Sequence, residues 1–197
     1  MIAYKHALAC FSFAIGTTLS PMTHAQPSVV SGITFDNPIN VQNVSLGING
    51  TGMRYKAMFK VYAAALYTPN RASTPEEVIN QDGPKRLRLV MLRSVAADEL
   101  GKLFTKGISE NIEKSQFAKL APSVFTMGSV FAQYRELVPG DTIDIDWIPG
   151  SGTVIRVRGQ VAQTFPDPVF YQAMMRIWLG NSPADWKLKD ALLGKAG

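Results

Sequence analysis

The chain has 197 residues, 46% of them hydrophobic, with 20 Lys and Arg against 15 Asp and Glu and a formal charge of +5 at pH 7. This size suits one domain with a core of its own. The modest positive excess is spread along the chain without a basic run or recognition motif, which excludes nucleic-acid recognition and leaves room for an anionic ligand.

Residues 1–25 read as an export signal. MIAYKH is a short positive n-region, ALACFSFAIGTTLS is an apolar run too short to span a bilayer, and PMTHA puts Thr23 and Ala25 where a signal peptidase reads. The apolar run before Cys10 is too short for a lipoprotein signal. Cleavage after Ala25 would leave one domain over residues 26–197, lower the formal charge from +5 to +4 by removing Lys5, and place the protein in the periplasm. No later segment has about 18 consecutive apolar residues, so no stable membrane insertion is expected. His6, His24 and Cys10 are the only histidines and the only cysteine, so residues 26–197 contain no imidazole and no thiol. That excludes Ser-His-Asp and Cys-His catalysis, disulfides and nearly every zinc or haem site, and no metal or cofactor is expected.

Residues 26–40 form an N-terminal arm with a short strand, bounded by the turn signal DNP at 36–38. VQNVSLGING (41–50) is a strand, and MFKVYAAALYT (58–68) is a second one, ended by Pro69 and Asn70. STPEEVIN opens a short helix, with Ser73 or Thr74 as cap and Pro75 in the first turn. KRLRLVMLRSV (85–95) is a strand. From Ala97 to about Ser115, Leu100, Leu103, Phe104, Ile108 and Ile112 draw the apolar stripe of an amphipathic helix. Pro122 starts another helix, and residues 141–161 make a hairpin around PGSG. The C-terminal part is helical in two pieces, the second begun by Ser182 and Pro183 and stopped by Gly194. Strands and helices are segregated more than alternated, which predicts an antiparallel α+β fold.

Three constellations carry candidate chemistry. Asp144 and Asp146 share one strand face, and pairing across the turn with Arg158 and Arg156 makes them a charged solvent face rather than a carboxylate dyad. Asn111 lies on or beside the buried stripe of its helix, where its amide either bonds a neighbouring backbone or faces a ligand cavity. Arg54 and Tyr62, in GTGMRYKAMFKVYAAALYT (50–68), fall on one strand face, or on adjacent strands if the chain turns near 54–57. There they are either a solvated strand face or a guanidinium and a phenol converging on one anion.

The motifs GTGMR followed by FKVYAAALY, the helix ending GISEN, the hairpin with PGSGT, and IWLGNSPAD with LLG resemble the chalcone isomerase-like family, most closely its exported bacterial members. The resemblance covers roughly Ile33 to Gly194 and implies an open-faced sandwich, a large antiparallel sheet covered on one side by a layer of helices. In plant chalcone isomerases an arginine, a threonine, and a tyrosine and asparagine on a helix organise the site. These positions correspond to Arg54, Tyr62, Phe104 and Asn111. Phe104 cannot donate a hydrogen bond, which argues against isomerase activity. Arg54 with Tyr62 is similar to the carboxylate clamp of plant fatty-acid-binding members. The resemblance thus implies a non-catalytic binder of a small amphipathic carboxylate such as a fatty acid, without a cofactor. An isomerase acting on a phenolic enone, or a structural or partner-binding envelope protein, are the alternatives.

Overall fold

The computed structural model describes residues 26–195, and the export signal expected over residues 1–25 lies outside them. A seven-stranded sheet, antiparallel throughout, runs in the order β11-β10-β9-β6-β5-β4-β3. Its strands are β3 (Ile39–Val41), β4 (Val44–Lys56), β5 (Phe59–Thr68), β6 (Lys85–Met91), β9 (Thr142–Ile148), β10 (Gly152–Val157) and β11 (Gln160–Phe165). Strands β1 (Ser28–Val30) and β2 (Ile33–Phe35) form a separate hairpin, and β7 (Val95–Ala96) pairs with β8 (Glu136–Leu137). The helices are α1 (Pro75–Asn80), α2 (Ala97–Ser109), α3 (Lys114–Ala132), α4 (Pro168–Leu179) and α5 (Trp186–Leu192). This is the α+β architecture expected, a large antiparallel sheet with the helices packed on one face.

Alternation along the strands sorts the two faces. Tyr62, Ala64 and Leu66 of β5, Leu87, Leu89 and Met91 of β6, and Ile143 and Ile145 of β9 join the core formed with the helices. Their neighbours Ala63, Ala65, Tyr67 and Val90 point to the other face. That face is partly covered by the N-terminal hairpin, where Phe35 is buried and Val30 and Ile33 pack against the same apolar cluster.

Asn49 controls how β4 enters this scheme. Ile48 pairs with Tyr67 on the far face, whereas Gly50 pairs with Leu66 on the helix face, so Asn49 is the extra residue of a β-bulge. Its side chain is 2% exposed and fully used: Nδ2 donates to the carbonyls of Ala72 (2.9 Å) and Leu192 (2.8 Å), and Oδ1 accepts from the Ala72 N–H at 2.7 Å. The clamp draws α5 onto β4. A Cβ at Gly50 would overlap the carbonyl of Ala191, and one at Gly52 would sit 2.8 Å from Ala191 Cβ. Only glycine lets that helix lie so close.

Several expected details differ. Pro122 does not start a helix; it lies inside α3, exposed, while Leu120, Val124 and Met127 are buried. Packing of that apolar face outweighs the lost hydrogen bond. Helix α5 is capped by Asp185, which accepts from Lys187 N–H and Leu188 N–H, and not by Ser182. The hairpin at 141–161 continues into β11 through Arg158 and Gly159, both at positive φ (53° and 78°), the conformation of a two-residue turn between strands.

The largest correction concerns Asp144 and Asp146. They are 2% and 0% exposed, not on a solvent face. Their main partners come from β6. Arg86 Nε and Nη2 donate to Asp146 at 2.6 and 2.7 Å, and Arg88 does the same to Asp144 at 2.7 and 2.8 Å. Arg156 reaches Asp146 only at 3.4 Å, and Arg158 binds Asp141 instead. The result is a half-buried ladder of forked arginine–carboxylate pairs across the sheet centre.

Removing one partner of such a pair strands a buried charge. Asp146→Asn is therefore expected to destabilise the fold by about 3 kcal/mol in urea unfolding. Arg86→Met combined with Asp146→Leu should recover most of that loss. A double variant as unstable as Asp146→Asn would show that the pair itself, and not its disruption, carries the stability.

Candidate functional site

Strand β4 runs through Lys56, turns over Ala57 and Met58, and returns as β5, so Arg54 and Tyr62 face each other across adjacent strands. Because Asn49 has already shifted the phase of β4, Arg54 lies on the helix side. Its Cζ is 5.8 Å from the centre of the Tyr62 ring. Helix α2 supplies Leu103 and Phe104, and α4 supplies Ile177. The loop between α4 and α5 supplies Ser182, Pro183 and Ala184. These side chains enclose an open cleft of about 240 Å³ with Lys106 and Glu110 at its wall. A second cleft of about 410 Å³, lined by Phe59, Val61, Val95, Leu100 and Arg93 among others, lies beyond Arg54 and Leu103, which border both.

Tyr62 is 1% exposed, and its hydroxyl accepts a hydrogen bond from Trp178 Nε1 at 2.9 Å. Burial raises the pKa of the phenol above its ordinary value; the nearby Arg54 charge opposes this but does not overcome it. Tyr62 is thus a neutral phenol at physiological pH, with its oxygen committed to Trp178 and its own proton without an acceptor among the described residues. Phe104 holds Trp178 in place: the two rings meet edge-on at 5.4 Å, and Phe104 meets Phe131 edge-on at 5.2 Å.

Arg54 is set apart from the other arginines of the sheet. Its Nε is buried without a hydrogen-bond partner, and among the described residues no carboxylate lies within ion-pair distance of it. A half-buried guanidinium flanked by a neutral phenol and two clefts is arranged to receive an anion.

Asn111 does not line this cleft. It borders a neighbouring one with Glu110 and Arg176, and its amide is used internally. Nδ2 donates to the carbonyls of Gly107 and Ser182, both at 2.9 Å, and Oδ1 accepts from Ser182 N–H at 2.8 Å. Asn111 thereby holds the loop whose Ser182, Pro183 and Ala184 wall the Arg54 cleft. Of the four candidate residues the structure brings Arg54, Tyr62 and Phe104 together and sets Asn111 behind the wall. Trp178 and Leu103 were not singled out in the sequence, where each is one more apolar residue of a helical stripe.

Replacing Tyr62 by Phe would leave the buried indole N–H of Trp178 without its acceptor. Tyr62→Phe should therefore lower the unfolding free energy by about 1–3 kcal/mol before any ligand is considered. Urea titration of the free protein measures this, and a loss below about 0.5 kcal/mol would mean that the indole finds another acceptor.

A family model described as chalcone isomerase-like matches residues 27–194. No curated protein sequence matches the chain. Among solved structures, a fatty-acid binding protein from Arabidopsis thaliana superposes with a TM-score of 0.70 at 15% identity, covering 85% of this chain and 96% of that one. At that identity the likeness is one of fold. The family match spans nearly every described residue, and the chain belongs to the chalcone isomerase-like family.

Proposed function

We propose that this protein is a non-catalytic periplasmic carrier of an amphipathic carboxylate of the fatty-acid type, with the carboxylate at Arg54. The observation that carries the reading is the unpaired, half-buried guanidinium between two clefts. A carboxylate there would take the forked donors of Arg54 and the free O–H of Tyr62, while Trp178 keeps the phenol oriented. The fold-mate from Arabidopsis, named as a fatty-acid binding protein, supports the same ligand class. Phe104, with its ring packed edge-on against two other aromatics, supplies no donor or acceptor for ring closure on a phenolic enone.

Cavity size sets the chain length. A water-sized group occupies about 30 Å³, so the 240 Å³ cleft holds about eight such groups and the 410 Å³ cleft about 14. The smaller cleft alone is too short for a long chain. The larger, flanked by Phe59, Val61, Val95 and Leu100, suits an acyl tail leaving Arg54 past Leu103.

Affinity should then rise by roughly fourfold per methylene, the equivalent of about 0.8 kcal/mol each, and level off near about 14 carbons. Isothermal titration with a series of saturated acids measures this. Arg54→Ala should weaken acid binding by roughly 10- to 150-fold, as expected for a charge-assisted contact of about 1.5–3 kcal/mol, and leave the methyl ester almost unchanged. Equal affinity for acid and ester in the unmutated protein would remove the clamp from the site. The compartment is tested separately by N-terminal sequencing of the protein from a periplasmic extract, which should begin at or near Gln26.

A further inference from the structure

Nine large apolar side chains are exposed among the described residues, and four of them gather at one end of the molecule. Met58 (82% exposed) and Phe59 (57%) form the tip of the β4–β5 hairpin, and Tyr55 (40%) stands beside it. Trp186 (59%) opens α5 next to Asp185, whose carboxylate accepts the Tyr55 N–H at 3.0 Å, so it belongs to the same end. Phe59 also borders the larger cleft, but nothing in the fold requires Tyr55, Met58 or Trp186 to be apolar. The turn needs only the positive φ of Ala57 (54°), and none of the four is in the core.

Cations accompany the patch. Lys56, Lys60, Arg93 and Lys187 are exposed around it. Lys56 is paired with Glu99 at 2.9 Å and Asp185 caps α5, which leaves Lys60, Arg93 and Lys187 as cations without an ion pair among the described residues. Arg93 lies over the Phe59 ring at 5.2 Å and Lys189 over the Trp186 ring at 5.0 Å, so the charges rise from the flanks of the aromatic side chains. A protein partner would need a matching apolar socket. An anionic bilayer needs only what is present: Trp, Tyr, Phe and Met at headgroup depth, with lysines and arginines reaching phosphates.

We propose that the β4–β5 hairpin tip, with Trp186, docks the protein on the surface of an anionic phospholipid bilayer. Docking by this end would place the mouth of the larger cleft, where Lys56 and Phe59 stand, against the membrane. The contact is peripheral and reversible, since four side chains, from the β4–β5 hairpin and the first residue of α5, reach the interface and do not span it.

Flotation of the full protein with vesicles tests this without any fatty acid. Binding is expected on phosphatidylglycerol–phosphatidylcholine vesicles at low salt, at least tenfold weaker on phosphatidylcholine alone and at about 0.5 M salt. The emission of the exposed Trp186 should shift to the blue on binding, and Trp186→Phe should remove the shift. Met58→Asp should weaken vesicle binding at least tenfold, and Lys60→Gln roughly fivefold. Neither residue lines a cleft, so both variants should keep the melting temperature and the acid affinity of the parent. Absence of binding to anionic vesicles would overturn the proposal while leaving the carrier reading intact. So would unchanged binding by Met58→Asp, or a dimer in lipid-free solution that this variant dissolves, which would make a second copy the occupant.

Discussion

One extra residue decides which side of the sheet Arg54 faces. Asn49 is inserted into β4 with both donors of its side chain given to the carbonyls of Ala72 and Leu192 and its oxygen accepting from Ala72 N–H. Everything downstream on that strand inherits the shift: Gly50 and Gly52 turn toward α5, which settles on their bare backbone, and Arg54 arrives opposite Tyr62. A regular strand in which Asn49 took its own place in the ladder could not put Ile48 on the far face and Gly50, Gly52 and Arg54 on the helix face together. A packing device that joins strand, loop and C-terminal helix is therefore also what aims the site.

The sheet treats its arginines in two ways. On the far face Arg86 and Arg88 each meet a buried carboxylate with two short hydrogen bonds, so their charge is answered within the protein. On the helix face Arg54 is half buried with its Nε unanswered. Leaving a partly desolvated cation unpaired costs stability, and proteins tolerate such costs at places where something binds. The aromatic chain from Phe131 through Phe104 to Trp178 packs around that place, and burial keeps the Tyr62 phenol neutral against the opposing pull of Arg54 and of the Trp178 hydrogen bond.

Much of this was legible in the sequence, and what was not has a common cause. The strands at 58–68 and 85–95, the cap at Ser73 or Thr74 and the PGSG turn were all readable, and the structure keeps them, with β6 ending at Met91. For Arg54 and Tyr62 the sequence left one strand face and two adjacent strands as alternatives, and the turn at Ala57 and Met58 realises the second. Alternation cannot say what covers a face, so Asp144 and Asp146 read as solvated when in fact they pair inside the sheet beneath Arg86 and Arg88. Nor does a bulge alter composition, so Asn49 passed as one more residue of a strand. Helix limits failed where tertiary contacts outweighed local signals. Pro122 stays within α3 because its opposite face is core, and Ser182 is not a cap because α5 begins only at Trp186, behind Asp185, while Ser182 lies in the loop held by Asn111.

The ladder at the sheet centre has a consequence for how the chain finds its partners. Strands β6 and β9 are separated by two helices and must find each other across a long loop. Leu87 and Leu89 would pack against Ile143 and Ile145 almost as well if the strands slid by two residues, since every side chain would keep its face. The charges do not permit it. Sliding one way sets Arg86 against Asp144 but leaves Asp146 opposite Pro84. Sliding the other way sets Arg88 against Asp146 and leaves Asp144 facing Val90 and Arg86 facing Ile148. Either misalignment buries a carboxylate without a cation, at a cost of several kcal/mol. In this protein the two arginines and two aspartates act as a proofreading code for the one long-range strand pairing that the apolar residues alone would leave ambiguous.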